Sequence, residues 1–393
     1  MKRTIKSLTK LKGKVVLLRV DFNVPMDDEG RIIDYTRIYE ALPTIEYLSS
    51  QGARIVLLSH LGRPKGYEIT KSLWPIALFL MRKLKCNVDF CNKVVGEEVK
   101  ERINVLKDGN VLLLENVRFY KEETDNDKAF AREIASLGDI FVNDAFATAH
   151  RENASTFGVA TFLPNAIGFL MEKELRELST LLDNPERPFV AVVGGAKVKD
   201  KLPVLEKLLD KADTIIIGGA MAYTFLKAKG QTIGASICDE ESLEKAREIL
   251  SKANALNKKI LLPVDHVCLK KKDSSQKMYF VNKITGYLIG YDVGDESIKL
   301  FAKELKKAKI IFWNGPMGMF EDERFARGTL SLAKVIASCK GHTVAGGGDT
   351  ILALHEAGVE RKIDYISTGG GATLEYIENG SLPCVDVLQE EIE

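Results

Sequence analysis

Short runs of Val, Ile and Leu recur along the chain, each followed by charged residues or glycines and then by a segment of helical periodicity. VVLLRVDF (15–22), ARIVLLSH (53–60), NVLLLENVRF (110–119) and DIFVNDAF (139–146) form a first set. FVAVV (189–193), TIIIGG (214–219), KKILLPVD (258–265), KIIFWNG (309–315) and TVAGGG (343–348) form a second. These runs are apolar throughout rather than alternating, which predicts strands buried on both faces of parallel sheets. Between them lie segments such as DEESLEKAREILSKANAL (239–256), acidic early and basic late, as a helix dipole favours. The pattern predicts an α/β fold of parallel sheets covered on both faces. The amphipathic segment FLMEKELRELSTLL (169–182), stopped by Pro185 and Pro188, reads as a helical hinge between them.

Composition narrows the class. A length of 393 residues suits about two domains. Hydrophobic residues at 45% and charged residues at 28% are globular values and exclude wholesale disorder. With a net charge of +1, no global field draws the chain to nucleic acid or membrane, so any cation cluster is local. Six cysteines without a C-x-x-C pair point to reduced thiols and a cytoplasmic protein. The apolar run Val15 to Leu18 is too short for a signal-peptide core, and Thr214 to Leu226 falls short of the roughly 20 residues that span a bilayer.

Ligands of open parallel sheets bind beyond the carboxyl ends of the strands. There the two halves differ. In the first, the strand ends carry Arg19, Asp21 and Asn23, then His60 and Arg63, then Arg118, then His150 and Arg151, with Arg37 near a helix start. A single arginine after a strand is ordinary surface; four such ends on one sheet edge make a basin for a small, multiply charged anion. In the second half the ends are glycines: Gly194-Gly195, Gly218-Gly219, Gly315 after Asn314, and Gly346-Gly347-Gly348, with a further turn at Gly369-Gly370-Gly371. Glycine turns before helices let backbone donors approach nucleotide phosphates. VVGGAKVKDK (192–201) is not a Walker loop, since Lys199 stands where that motif needs glycine. If a helix starts near Ala196, Lys197 and Lys201 share a face at its amino end, a place where cations are unfavourable unless an anion sits above them.

In order along nearly the whole chain, RVDFNVP (19–25), SHLGRP (59–64), LLLENVRF (112–119), VNDAFATAHR (142–151), NPERPFVAVVGGAKVKDK (184–201), WNGPMGMFE (313–321), GGGDT (346–350) and STGGGATLE (367–375) resemble the phosphoglycerate kinase family. The resemblance implies that Asp21, Asn23, Arg37, His60, Arg63, Arg118 and Arg151 hold 3-phosphoglycerate or 1,3-bisphosphoglycerate, with backbone near Phe22, Leu61 and Gly62 contributing. It implies that Lys197 and Lys201 contact the nucleotide phosphates, that Gly290 lies by the adenine and that Glu321 binds the ribose. Gly347, Gly348, Asp349 and Thr350 would cradle the phosphates of ATP or ADP, beside Gly194, Gly218 and Asn314, with Asp349 reaching Mg2+. It further implies a monomer of two doubly wound, Rossmann-like parallel-sheet domains, a 3-phosphoglycerate-binding domain (1–168 plus 381–393) and a nucleotide-binding domain (169–380), the tail returning to the first. The chain departs from the family's usual glycine at Ala147, from a frequent histidine at Glu152-Asn153, and from a frequent proline at Glu97.

The implied reaction is reversible, Mg-dependent phosphoryl transfer from an acyl phosphate to ADP. Its carboxylate acceptor is ionised at neutral pH and needs no general base, so catalysis falls to positioning and charge, with Arg37 and Lys197 as the catalytic cations and domain closure excluding water. Other readings are weaker. Asp349-Thr350 also fits a helix N-cap, which can coexist with a metal contact. His266 and Cys268 are two metal-ligand types without partners, and Trp313 reads as packing. A dehydrogenase needs G-x-G-x-x-G, yet Ile351 and Leu374 stand at the third glycine. A two-lobed binding protein would leave Lys197 and Asp349 unused.

Overall fold

The computed structural model describes residues 2–270 and 277–391. Backbone contacts gather the chain into two compact units, Met1–Arg176 with Ser381–Glu393, and Glu177–Gly380. The division falls inside the helix Phe169–Leu182, not at its first residue.

The first unit is built on β1 (Val15–Arg19), β2 (Arg54–Leu58), β3 (Val88–Cys91), β4 (Val111–Leu114), β5 (Ile140–Asn143) and β6 (Asn165–Ile167). All neighbours run parallel, in the order β3-β4-β2-β1-β5-β6. The connections go one way from β1 and the other way from β5, so the crevice between these two strands is the topological switch point, where such sheets bind ligands. Every residue of β1 and β4 is buried, as continuous apolar runs require under two covering layers. On one face the helix Thr36–Ser50 lays Ile38, Ala41, Ile45 and Leu48 into the same cluster as Val16, Leu18, Ile55 and Leu57. The exposed edge of β6 is closed by Arg3, whose carbonyl accepts from Ile167 N at 2.8 Å while its own N–H donates to Gln389 O at 2.9 Å.

The second unit holds β7 (Phe189–Val193), β8 (Thr214–Ile217), β9 (Lys259–Leu261), β10 (His266–Lys270), β11 (Met278–Val281), β12 (Leu288–Val293), β13 (Ile310–Asn314), β14 (His342–Gly346) and β15 (Tyr365–Ser367). Its main sheet is parallel, in the order β15-β14-β13-β7-β8-β9, with the switch point between β7 and β13. Trp313 is fully buried in its core and donates Nε1–H to Gly315 O at 2.8 Å, which fits its reading as a packing residue.

The pattern of apolar runs did not foresee β3, β6 or β15, nor the separate antiparallel sheet β11-β10-β12. β3 (VDFC), β6 (NAI) and β15 (YIS) are each short and interrupted by a polar residue, and β11 alternates exposed and half-buried positions, so none of these forms a continuous apolar run.

Candidate active site

In the first unit, β1 delivers Arg19 to the switch point as a fully buried side chain. Two residues on, Asp21 is 5% exposed; it accepts from Arg37 Nη1 at 2.6 Å and from Asn23 N at 3.0 Å. Asn23 Oδ1 in turn accepts from Gly62 N at 2.8 Å, and Gly62 O accepts from Arg118 Nη1 at 2.7 Å. Asn116 orders the turn beneath: its Oδ1 accepts from Arg118 N at 3.0 Å and its Nδ2 donates to Leu61 O at 2.8 Å. The ends of β1, β2 and β4 are thus one hydrogen-bonded frame carrying Asp21, Asn23, Arg37, His60 and Arg118. Phe22 and Leu61 turn their side chains into the core, and Phe22 N donates to Ser59 Oγ at 2.9 Å.

Beside this frame lies a cleft of about 460 Å³ lined by Arg63, Pro64, Arg118, Thr124, Arg151, Glu152 and Asn153. Arg63 and Arg151 are exposed. Burial, with Arg19 and Arg151 nearby, pushes the Arg118 guanidinium down to about 10. Burial and four arginines (Arg19, Arg118, Arg37 and Arg151) hold His60 well below the ordinary histidine value. Burial and neighbouring arginines thus disfavour the charged forms of both Arg118 and His60, which favours an anion in the cleft.

In the second unit the turns after β7 and β13 meet. Lys201 Nζ donates to Gly194 O and, at 2.8 Å, to Asn314 Oδ1. Asn314 Nδ2 donates to Gly346 O at 2.7 Å, and Thr350 Oγ1 accepts from Gly315 N at 2.7 Å. The ends of β7, β13 and β14 are therefore tied through one lysine and two polar side chains. Glycine is required where the turns touch: a Cβ on Gly194 would stand 2.0 Å from Pro316 O, and one on Gly219, at φ +66°, 2.4 Å from Gly195 N. Burial pushes the Lys201 ammonium down to about 8, against the opposing pull of Asp349 and Asp200.

A second cavity, of about 440 Å³, opens over these turns. Gly195, Gly219, Gly290, Glu321 and Asp349 line it, together with Tyr223, Ala235, Ile237, Ile289, Tyr291 and Met319. Gly194, Gly218, Asn314 and Thr350 are buried beneath, while Gly347 and Gly348 open the helix Gly348–Glu356. The apolar wall suits a flat ring, and the glycine turns with Lys201 suit phosphates. Among the described residues no group of three or more His, Cys, Asp or Glu could cage a metal. Asp349 is exposed in the first turn of its helix. One free carboxylate beside a phosphate site fits Mg2+, which is held by one or two carboxylates and substrate phosphates.

Two expectations need correction. The helix does not start near Ala196. A 3₁₀ turn at Lys199–Lys201 leads into the helix Leu202–Lys211, so Lys197 stands exposed in the preceding loop and shares no helix face with Lys201. Pro203, in the first turn, was the available signal. Asp349 is not an N-cap either; Gly347, at φ +97°, holds that position without a side-chain cap. The residue patterns also passed over Glu123 and Ser155, which lie behind Arg19, and Tyr223 and Ile237, which wall the second cavity. Single residues of this kind carry no local signature.

Comparison with known proteins bears on both sites. The family model described as phosphoglycerate kinase matches residues 5–380. A phosphoglycerate kinase of Borrelia duttonii is 49% identical over 390 residues, covering 98% of this chain and 99% of that protein. One of Dictyoglomus turgidum is 49% identical over 395 residues, covering 99% and 100%. The solved structure of phosphoglycerate kinase from Coxiella burnetii superposes with a TM-score of 0.90 at 41% identity, covering 98% of each chain. That from Pyrococcus horikoshii gives 0.83 at 34%, again covering 98% of each.

Proposed function

The chain belongs to the phosphoglycerate kinase family, and from that premise we propose how its residues divide the work of moving a phosphoryl group between a carboxyl group and a nucleotide. The reaction is the reversible glycolytic transfer between 1,3-bisphosphoglycerate and ADP, giving 3-phosphoglycerate and ATP. The observation that carries the assignment is the unlike furnishing of the two switch points. One offers arginines and His60 on a hydrogen-bonded frame, and the other offers glycine turns and Lys201.

The first unit is the 3-phosphoglycerate domain. Arg63, Arg118 and Arg151 hold the phosphate end of the triose acid as forked donors; Asp21, Asn23, Arg37 and His60 take the rest, with backbone at Phe22, Leu61 and Gly62. The second unit is the nucleotide domain. Its apolar wall at Gly290 takes the base, Glu321 the ribose, and Gly194, Gly218, Asn314, Gly347, Gly348 and Thr350 shape the phosphate seat. Lys201 is anchored at the seat's floor and supplies fixed positive charge, whereas the exposed Lys197 is free to follow the phosphoryl group. Asp349 would hold Mg2+, which neutralises charge on the nucleotide phosphates when bound.

Since the acceptor is a carboxylate, no residue has to remove a proton. Arg37 and Lys197 act by charge and position on the oxygens of the transferred group. The six free cysteines support a reducing, cytoplasmic setting. A coupled assay of ATP consumption with 3-phosphoglycerate, with and without Mg2+, tests the whole reading. Metal-dependent turnover is expected; turnover unchanged by removal of Mg2+ would exclude the metal role of Asp349.

A further inference from the structure

The buried arginine at the end of β1 is bonded so that it fixes a proton on a neighbouring ring. Glu123, 1% exposed, accepts from Ser155 N at 2.8 Å and from Ser155 Oγ at 2.7 Å. A hydroxyl has one proton, so Ser155 Oγ meets Arg19 Nε, 2.9 Å away, as an acceptor. Arg19 Nη1 donates to Val20 O. With Nε and Nη1 committed the planar guanidinium is oriented, and Nη2 lies 3.1 Å from His60 Nδ1. A guanidinium only donates. Nδ1 therefore offers its lone pair, and the single proton of the neutral ring sits on Nε2. No protein group among the described residues takes that proton in a hydrogen bond.

We propose that Arg19 is a positioning residue that holds His60 as the neutral Nε2–H tautomer, so that His60 gives the bound triose acid a hydrogen bond and no charge. The ligand in this statement rests on the reading of the cleft given above; the tautomer does not. The charges around the ring act in the same sense. Arg19 on β1, Arg37 on the helix Thr36–Ser50, Arg118 after β4 and Arg151 after β5 all disfavour a charged imidazole, and burial disfavours it most. Asp21 is the opposing group, with Oδ1 3.8 Å from the same Nδ1. Arg19 occupies the lone pair that Asp21 would otherwise help to protonate. Removing Arg19 frees Nδ1 beside a carboxylate, so the ring can place its proton on either nitrogen, while burial and the three remaining arginines still keep it neutral.

The test must separate His60 from the substrate, because a phosphate monoester itself titrates near pH 6. Comparison with His60→Gln cancels that contribution. The ratio of KM for 3-phosphoglycerate between His60→Gln and wild type is expected to stay constant from about pH 6 to 8, the range in which an unperturbed histidine changes charge. In an Arg19→Met background, which offers Nδ1 no donor, the same ratio should fall by about three- to tenfold at every pH in this range, the scale of a lost hydrogen bond. Arg19→Lys keeps a donor and should restore the wild-type ratio. Imidazole nitrogen NMR reads the tautomer directly, and with five histidines in the chain His60 is assigned by its loss in His60→Gln. An acceptor-type shift at Nδ1 and a protonated shift at Nε2, unchanged over that range, are expected. A ring protonated on Nδ1, or one that titrates in the wild type, overturns the proposal. If Arg19→Met fails to fold, the wild-type spectrum still decides. Failure to bind 3-phosphoglycerate would overturn the ligand reading and leave the spectrum to judge the tautomer.

Discussion

Lys197 and Lys201 are four positions apart and have different physical lives. Lys197 is exposed and precedes the helix, so Lys197→Ala should fold with unchanged melting temperature. Its turnover should fall by about 10²–10⁵-fold, the range of a cation clamping a phosphoryl group. Near-normal turnover would remove it from the catalytic set. Lys201 is anchored on Gly194 O and Asn314, and burial brings its ammonium to about 8. As pH rises through that value the free enzyme loses the charge, and phosphate can bind well only by restoring it. Affinity for ADP should therefore fall above about pH 8, by up to about tenfold per unit, with proton uptake visible in calorimetry across buffers of different ionisation enthalpy. Lys201→Arg cannot lose its charge in this range, so the dependence should flatten. A wild-type profile that stays flat past about pH 9 would mean that Lys201 keeps its proton unaided.

At the scale of elements, the strands that frame both sites were legible because each is a continuous buried run, and their ends held the arginines and glycines that the pattern marks. The helix beginnings were less so. Lys201 looks like the second turn of a helix from Ala196, yet the Gly194-Gly195 turn and Pro203 delay the start. The amino end of the helix Phe169–Leu182 hides another tertiary choice: Asp144, just past β5, is fully buried and accepts from Met171 N at 2.9 Å. Burial raises its carboxyl from 3.8 to about 7. The folded state thus holds this proton more tightly than the unfolded chain. The stabilising contribution is complete below the unfolded value of 3.8 and is lost as pH climbs through about 7. Asp144→Asn does not titrate. Its stability relative to wild type should rise by about 2–3 kcal/mol between about pH 5 and 8, from the two ionisation constants. Parallel denaturation curves at the two pH values would show instead that the carboxyl is ionised in both states.

At the scale of the whole molecule, the first unit is discontinuous in sequence, and its last piece is part of its structure. Leu382, Cys384, Val385 and Leu388 are all at most 5% exposed. Cys384 N donates to Ala149 O at 3.1 Å, and its thiol donates to Arg151 O at 3.1 Å, so the tail holds the loop that carries this arginine. Lys2 Nζ donates to Leu388 O at 2.8 Å, and Gln389 N donates to Asn165 Oδ1 at 2.7 Å, which ties the tail to both the start of the chain and edge strand β6. These bonds all end in the first unit. A chain stopped after Gly380 should therefore lose stability in that unit alone. At about 1.5–3 kcal/mol for each buried side chain, less the ordering entropy that the tail no longer spends, a net loss of about 4 kcal/mol is expected. That would lower the unit's calorimetric transition by about 8–16 °C while the second unit's stays in place. In the folded fraction, KM for 3-phosphoglycerate should rise more than KM for ATP, because Arg151 loses its support while the glycine turns keep theirs. Equal effects on both constants would show that the tail acts on the two units together, and an unshifted first transition would show that its buried side chains contribute little.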